Sequence, residues 1–406
     1  MILNEISKLD KVLILGFARE GQSTYNFLRK KFPILQIDHA DAKDDPGYLL
    51  NIEHWPLIIK SPGVSPHKPE IVAAKQAGVR FTSHMQIFFE VCPSKKIIGV
   101  TGTKGKSTTT SLIHHVLISN NIKCSLVGNI GKPALDYLDE ITPQTWVVCE
   151  LSSYQLMDLT VSPHIAILQN IYPDHLDYHK DFEEYKSAKL NITKYQTPVD
   201  YLITQLDIPT KAQKIIIKPV PVESQLLGIH NLYNIQPSII IGELLGISKD
   251  KILSSIKTFQ PLETRLELVA EKNGIKFYAD TLATIPEATI AAIDTLHPAT
   301  LIAGGHDRHQ DYSDLAQKII DSNIKTLILF PATGPRLWQE VQKHLEGGRM
   351  DSFQVAGMPE AIKLAFEHTP KNSICLLSPA APSFTLFRDY RDEHDQYKKA
   401  VTDFLS

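Results

Sequence analysis

Gly99-Val100-Thr101-Gly102-Thr103-Lys104-Gly105-Lys106-Ser107 is the stretch whose reading decides the fold. It follows an apolar run, Ile97–Val100, that reads as a strand. It precedes a segment in which Leu112, Ile113, Val116 and Leu117 recur at helical spacing. Strand, glycine-rich loop and helix in that order form a phosphate cradle. Glycines let backbone N–H groups turn towards phosphate oxygens, and the helix N-terminus contributes its positive end. Lys106 can then reach the β- and γ-phosphates, while the Ser107 hydroxyl can ligand Mg²⁺. The usual spacing would put glycine at position 100, where this chain has Val100, so the loop is a variant that still binds a nucleoside triphosphate.

Working outward, β-rich runs alternate with helix-period segments along the whole chain, the pattern of α/β units on parallel sheets. The runs preceding the loop are Lys11–Leu15, Ile34–Asp38 and Leu57–Lys60. Those around it are Ile97–Val100, Trp146–Cys149 and Ile165–Leu168. The last set is Lys276–Ala279, Thr300–Ala303, Thr326–Phe330 and Ile374–Leu377. A chain of 406 residues is too long for one compact domain. Boundaries near Cys92-Pro93 and Gln260-Pro261 give three α/β domains, residues 1–92, 93–259 and 260–406. The expected fold is a Rossmann-like N-terminal domain, a central P-loop mononucleotide-binding domain and a Rossmann-like C-terminal domain.

Composition narrows the partners. With 42 basic against 45 acidic residues, nothing in the charge balance favours nucleic-acid or membrane-surface binding. No apolar run approaches the roughly 18–20 residues needed to span a bilayer. Cys92, Cys124, Cys149 and Cys375 are widely spaced, which fits a reduced cytoplasm rather than a disulfide framework. A cytoplasmic enzyme, acting as a monomer, is expected.

Other chemistry-bearing residues follow strands. Glu150 comes directly after Trp146–Cys149, and His175 lies beyond Ile165–Leu168. Side chains just past the carboxyl ends of parallel strands face the ligand crevice, so both are candidate Mg²⁺ ligands beside the triphosphate. Taken singly, His175 reads as a surface or hydrogen-bonded histidine and Lys189 as a solvated helix lysine. Gly16-Phe17-Ala18-Arg19-Glu20-Gly21 lacks the middle glycine of a dinucleotide fingerprint, so a plain tight turn and a ligand contact are equal readings. Asp38, in the next strand, is a candidate partner for a ribose hydroxyl.

Taken together, the motifs resemble those of the Mur ligases, ATP-dependent amide-forming enzymes of bacterial cell-wall precursor synthesis. They are Thr101–Ser107, Gly128–Gly131, Glu150–Gln155, Asn170–His175, Tyr185–Lys189, Gly228–Asn231, Arg265–Glu267, Gly304–Asp307 and Leu377–Ala380. Within that family the chain looks most like the members that add D-glutamate to UDP-N-acetylmuramoyl-L-alanine through an acyl phosphate. The resemblance implies ATP and Mg²⁺ as cofactors. It places Gly102, Thr103, Lys104, Gly105, Lys106, Ser107 and Thr108 at the ATP phosphates, and Asn231, Asn234, Arg265 and Asp280 elsewhere on ATP. Ser107, Glu150, His175 and a carbamoylated Lys189 would be metal ligands, with Lys106, Glu150, His175 and Lys189 the catalytic set. Gly16, Asp38, Ser61, Asn129 and Ser152 would serve the UDP-sugar, and Arg308, Ser383 and Tyr390 the incoming glutamate. The chain departs from the family pattern at Lys104, where asparagine is common. Leu282 and Ile285 replace a lysine and an asparagine, and Arg308 replaces a lysine. A related ligase adding L-glutamate or another amino acid, a folylpolyglutamate-type ligase and a non-catalytic nucleotide-binding protein are the alternatives.

Overall fold

The computed structural model of the chain describes residues 2–345 and 350–405. Each buried apolar run becomes a strand of one of three sheets. The first contains β1 (Lys11–Leu15), β2 (Gln36–Ala40), β3 (Leu57–Lys60) and β4 (Arg80–Thr82), all parallel, in the order β2-β1-β3-β4. The second contains β5 (Ile97–Thr101), β6 (Cys124–Gly128), β7 (Trp146–Glu150), β8 (Ile165–Leu168), β9 (Tyr201–Thr204) and β10 (Gln213–Ile216). It too is parallel, ordered β10-β9-β8-β5-β7-β6.

The third sheet comprises β11 (Glu267–Lys272), β12 (Ile275–Ala279), β13 (Thr300–Ala303), β14 (Thr326–Leu329), β15 (Asp351–Gln354) and β16 (Ile374–Leu377). Its order is β11-β12-β16-β13-β14-β15, with only the β11–β12 pair antiparallel. A parallel sheet requires crossover helices on its faces, and this burial on both sides is why β3, β5, β8, β13 and β14 read as unbroken apolar runs.

The chain forms two compact units, residues 1–223 with 233–257, and residues 224–232 with 258–406. The first unit carries both the first and second sheets. One apolar core runs from Ile14, Leu28 and Phe88 to Val147, Leu156 and Leu168, so the two sheets share an interior. Buried polar links reinforce it: the Lys60 ammonium lies 3.0 Å from Asp158, and Ser23 Oγ donates to Asp136. The second unit is built around the third sheet, with cores on its two faces centred on Phe277 and Phe330, and on Leu301 and Leu327.

In both parallel sheets of the first unit the strand order reverses at a central strand. Loops leaving the carboxyl ends of strands on either side of such a point diverge and open a crevice. In the first sheet this lies between β1 and β3, and in the second it lies at β5, whose neighbours β7 and β8 end in Glu150 and lead to Asn170.

Candidate active site

β5 delivers the chain into the phosphate loop at Gly102. The helix that follows, Lys106–Ser119, begins at a left-handed Gly105 (φ +86°). A Cβ on Gly105 would lie 2.1 Å from Asn234 Oδ1, so glycine is required by space as well as by dihedral. Thr103 N donates to the Asn170 carbonyl at 2.9 Å, and Thr109 Oγ1 donates to the Asn234 carbonyl at 3.0 Å. The loop is therefore fastened from two sides, by the segment after β8 and by the helix Ile229–Leu244.

Two lysines converge on the loop. Lys106 Nζ donates to the Gly102 and Thr103 carbonyls, both at 2.9 Å. Lys189, on the helix Phe182–Lys194, is only 2% exposed and donates from Nζ to the Gly102 carbonyl at 2.8 Å. Its amine also lies 4.6 Å over the Tyr185 ring, and Tyr185 Oη and Thr103 Oγ1 share a hydrogen bond of 2.8 Å. Burial, then the neighbouring Lys106 charge, hold the Lys189 amine well below the ordinary lysine value. Its placement is opposite to that of a solvated helix lysine.

Glu150 ends β7 in register with Val100. It is 1% exposed; Oε1 accepts from Asn129 Nδ2 at 2.7 Å, while buried Oε2 has no hydrogen-bond partner among the described residues. A buried carboxylate oxygen without a donor is costly unless a cation meets it, so this residue fits a metal ligand. His175 has a left-handed backbone (φ +57°), and its Nδ1 is 2.6 Å from Tyr154 Oη. Its Nε2 stands 3.8 Å from Asp174 Oδ2. Among the described residues no three His, Cys, Asp or Glu side chains form a ready metal cage. Mg²⁺ seldom needs one, because phosphate oxygens and water complete its shell.

Gly16, Ser61 and Asn129 line one cavity of about 370 Å³ at the first sheet's crevice, together with Arg19, Glu20 and Asp41. Ser61 Oγ donates to the Gly16 carbonyl at 2.6 Å, and a Cβ on Gly21 would lie 2.2 Å from that same carbonyl. The glycine turn is thus both a tight turn and a wall of the cavity. Asp38 does not line it. The strand expected at Ile34–Asp38 runs from Gln36 to Ala40, with Ile34 fully exposed, and Asp38 accepts from Gln36 Nε2. The acid at the carboxyl end of β2 is Asp41, which accepts from the backbone of Phe17 at 2.6 Å and of Lys43 at 2.9 Å. Ser152 is the N-cap of the helix Ser153–Met157 and forms a capping box with Gln155.

Asn234 accepts from Gln169 Nε2 at 3.0 Å beneath the loop. Gln169, Asn170, Tyr154, Asp174 and Tyr185 all contact predicted site residues, and the sequence reading assigns none of them a role. They lie inside the quoted motifs or directly beside one, which is the signal that could have found them.

In the second unit, Asn231 Nδ2 donates to the Leu227 carbonyl at 2.6 Å, and Arg265 sits next to a left-handed Thr264 (φ +69°). Asp280 follows β12, and its backbone donates to the Leu377 carbonyl at 2.8 Å. Ile285, in place of an asparagine, is buried at 1% exposure as the N-cap of the helix Pro286–Leu296 and makes no side-chain cap. Half-buried Arg308 lies on the loop after β13. Arg336 pairs with Asp307 and donates from Nη2 to the Gln310 carbonyl at 3.0 Å; Gln310 Nε2 donates to the Thr284 carbonyl at 2.8 Å. Those bonds fix the Arg308 loop against the segment containing Leu282. Ser383 opens the short turn Ser383–Thr385, and Tyr390 begins the helix Tyr390–Leu405.

Comparison with known proteins gives concordant matches. Residues 100–219 match the Mur ligase middle domain, and residues 264–381 the Mur ligase glutamate ligase domain. A UDP-N-acetylmuramoylalanine–D-glutamate ligase of Acetivibrio thermocellus is 34% identical over 395 residues, spanning 87% of this chain and 84% of that protein. One of the same name from Clostridium botulinum strain Kyoto is 33% identical and spans 97% of both chains. The fold is shared with the UDP-N-acetylmuramate-alanine ligase MurC of Thermotoga maritima (TM-score 0.61, 17% identity, 97% and 99% of the two chains). It is shared too with MurF of the same organism, solved with ADP (TM-score 0.60, 14% identity, 97% and 95%).

Proposed function

The chain belongs to the Mur ligase family, and from that premise we propose that it joins D-glutamate to UDP-N-acetylmuramoyl-L-alanine with conversion of ATP to ADP and phosphate. The observation that carries this reading is the gathering of Lys106, Lys189 and the bare Glu150 oxygen about one phosphate loop, in a chain a third identical to ligases of that name. The three domains, residues 1–92, 93–259 and 260–406, divide the work among the UDP-sugar, ATP and the amino acid.

A carboxylate is a poor electrophile, and transfer of the ATP γ-phosphoryl group to the L-alanyl carboxylate gives an acyl phosphate that the glutamate amine can attack. Amide formation then expels phosphate. Lys106 leaves the Gly102 and Thr103 carbonyls and offsets charge on the transferring group. Asn129, lining the cavity and bonded to Glu150, ties the sugar-nucleotide site to the phosphate site. Ser107, Glu150, His175 and a carbamoylated Lys189 would hold Mg²⁺, which would supply screening of phosphate charge. Tyr154 orients the His175 ring through Nδ1. Arg308, with Ser383 and Tyr390, is suited to the carboxylates of glutamate. The cytoplasm is the compartment this reaction requires, since ATP and the nucleotide-linked sugar are made there.

A second reading, addition of L-glutamate or another amino acid, draws on Leu282, an apolar side chain where the family carries a lysine. Phosphate release by the purified chain with UDP-N-acetylmuramoyl-L-alanine and each glutamate enantiomer separates the two. Release with neither enantiomer would remove glutamate altogether.

A further inference from the structure

Arg265 stands between two left-handed residues that are not glycine, Thr264 (φ +69°) and Leu266 (φ +44°). Such backbone is unfavourable for residues with a Cβ and persists only where the surroundings fix it. Glu267 provides the fixing contact: its Oε2 accepts from the Thr264 N–H at 3.0 Å and closes the turn around Arg265. Glu267 also opens β11 and pairs with Ala279, the residue before Asp280. The Arg265 charge reaches the Gly228–Asn231 segment, where it adds to burial in lowering His230.

The Glu267 carboxylate is in turn gripped by the helix Tyr390–Leu405. His394 Nε2 lies 3.3 Å from Oε2, and Lys398 Nζ lies 3.5 Å from Oε1. Lys398 is 53% exposed, so its ion pair is the weaker grip. His394 is 4% exposed. Burying an imidazole costs free energy that a polar contact offsets, and Glu267 provides that contact. Tyr390, His394 and Lys398 recur every four residues, so one helix face carries the proposed glutamate contact and both grips on Glu267.

We propose that His394 is a positioning residue for ATP, holding through Glu267 the turn that aims Arg265. The proposal rests on the reading that Arg265 contacts ATP. A guanidinium is useful to a nucleotide only in a fixed direction, and a turn with two left-handed residues relaxes once its closing carboxylate swings away. His394 is the buried group that keeps that carboxylate in place.

The test is phosphate-release kinetics of the full chain, with ATP, glutamate and UDP-N-acetylmuramoyl-L-alanine varied in turn, for wild type, Arg265→Ala, His394→Ala and His394→Gln. His394→Ala should raise the Michaelis constant for ATP about tenfold, with kcat and the glutamate constant within about twofold. Arg265→Ala should raise the ATP constant at least as far. His394→Gln keeps a side-chain N–H and should regain most of the loss. A merely structural loosening of the helix would move the glutamate constant as well, since Tyr390 begins the same helix. Thermal unfolding checks that each variant folds; Glu267→Ala, with the same ATP-specific rise expected, stands in for an unfolded His394→Ala. An ATP constant within about threefold of wild type in a folded variant, or equal rises for ATP and glutamate, overturns the proposal. An unchanged ATP constant in Arg265→Ala overturns it too, while leaving the ligase reading intact. Wild-type protein without ATP-dependent phosphate release would overturn both together.

Discussion

Asn129 donates to Glu150 twice, from Nδ2 to the carboxylate Oε1 at 2.7 Å and from its backbone N–H to the Glu150 carbonyl at 3.0 Å. A residue lining the first sheet's cavity thereby sets the orientation of the carboxylate that ends β7. Asn129→Ala leaves Glu150 Oε1 buried without that donor, a loss of about 1.5–3 kcal/mol for a charge-assisted bond. Turnover should fall by roughly 10- to 100-fold, with a higher Mg²⁺ concentration needed for half-maximal activity. A Mg²⁺ titration of activity beside a thermal melt checks both.

Lys106→Ala should abolish product formation while leaving the fold intact, because its amine donates to carbonyls of a loop that Asn170 and Asn234 also fasten. Circular dichroism and phosphate release on the same preparation decide it. Wild-type-like turnover in a folded variant would sink the ATP-ligase reading.

Lys189 is a buried amine with a lowered proton affinity, the state in which a lysine reacts with carbon dioxide. Lys189→Ala should be inactive, and added formate or acetate should restore part of the activity by supplying an anionic oxygen. Density for a carbamate in a crystal of the ATP–Mg²⁺ complex is the direct measurement; a bare ammonium there would rule the idea out.

Arg308→Ala should raise the Michaelis constant for glutamate far more than those for ATP and the UDP-sugar, by about 2–4 kcal/mol or roughly 30- to 1000-fold. Arg308→Lys should recover only part, since an ammonium lacks the planar fork. Kinetics with each substrate varied in turn provide the check, and an unchanged constant for glutamate removes Arg308 from the site.

Two ionisable groups in the first unit oppose each other in pH. Burial lowers His84 to about 3, and burial raises Glu20 to about 7. The unfolded chain binds more protons than the folded one at His84, so that group favours folding increasingly as pH rises from 3 to 6.5. Glu20 does the reverse, its contribution being lost as pH rises from 4.5 to 7. The two slopes cancel where they overlap. Glu20→Gln keeps an acceptor for Gln155 and should unmask the His84 slope, up to about 1.4 kcal/mol per pH unit between roughly pH 4.5 and 6.5. Urea unfolding across that range measures it, and a flat profile in the variant would count against a buried neutral His84.

The local chemistry of this protein was written in its sequence. Interior strands such as β1, β3, β8, β13 and β16 have the ends their apolar runs indicate, because burial on both faces leaves little room for polar residues. The strands that the apolar pattern does not mark, β4, β6, β10, β11 and β15, are all at sheet edges, where one side meets solvent and the pattern turns half polar; interior β9 is unmarked as well. β2, another edge, was displaced by two residues, and that shift moves the acid at the cavity from Asp38 to Asp41. The phosphate loop was legible because its function depends on consecutive residues. What only the tertiary structure decided are relations across long stretches of chain: Lys189 buried on Gly102, Glu150 held by Asn129, His175 by Tyr154 and Lys104 by Asp174. These depend on strand order and on which loops leave the same end of a sheet, and no local pattern of residue types encodes that order.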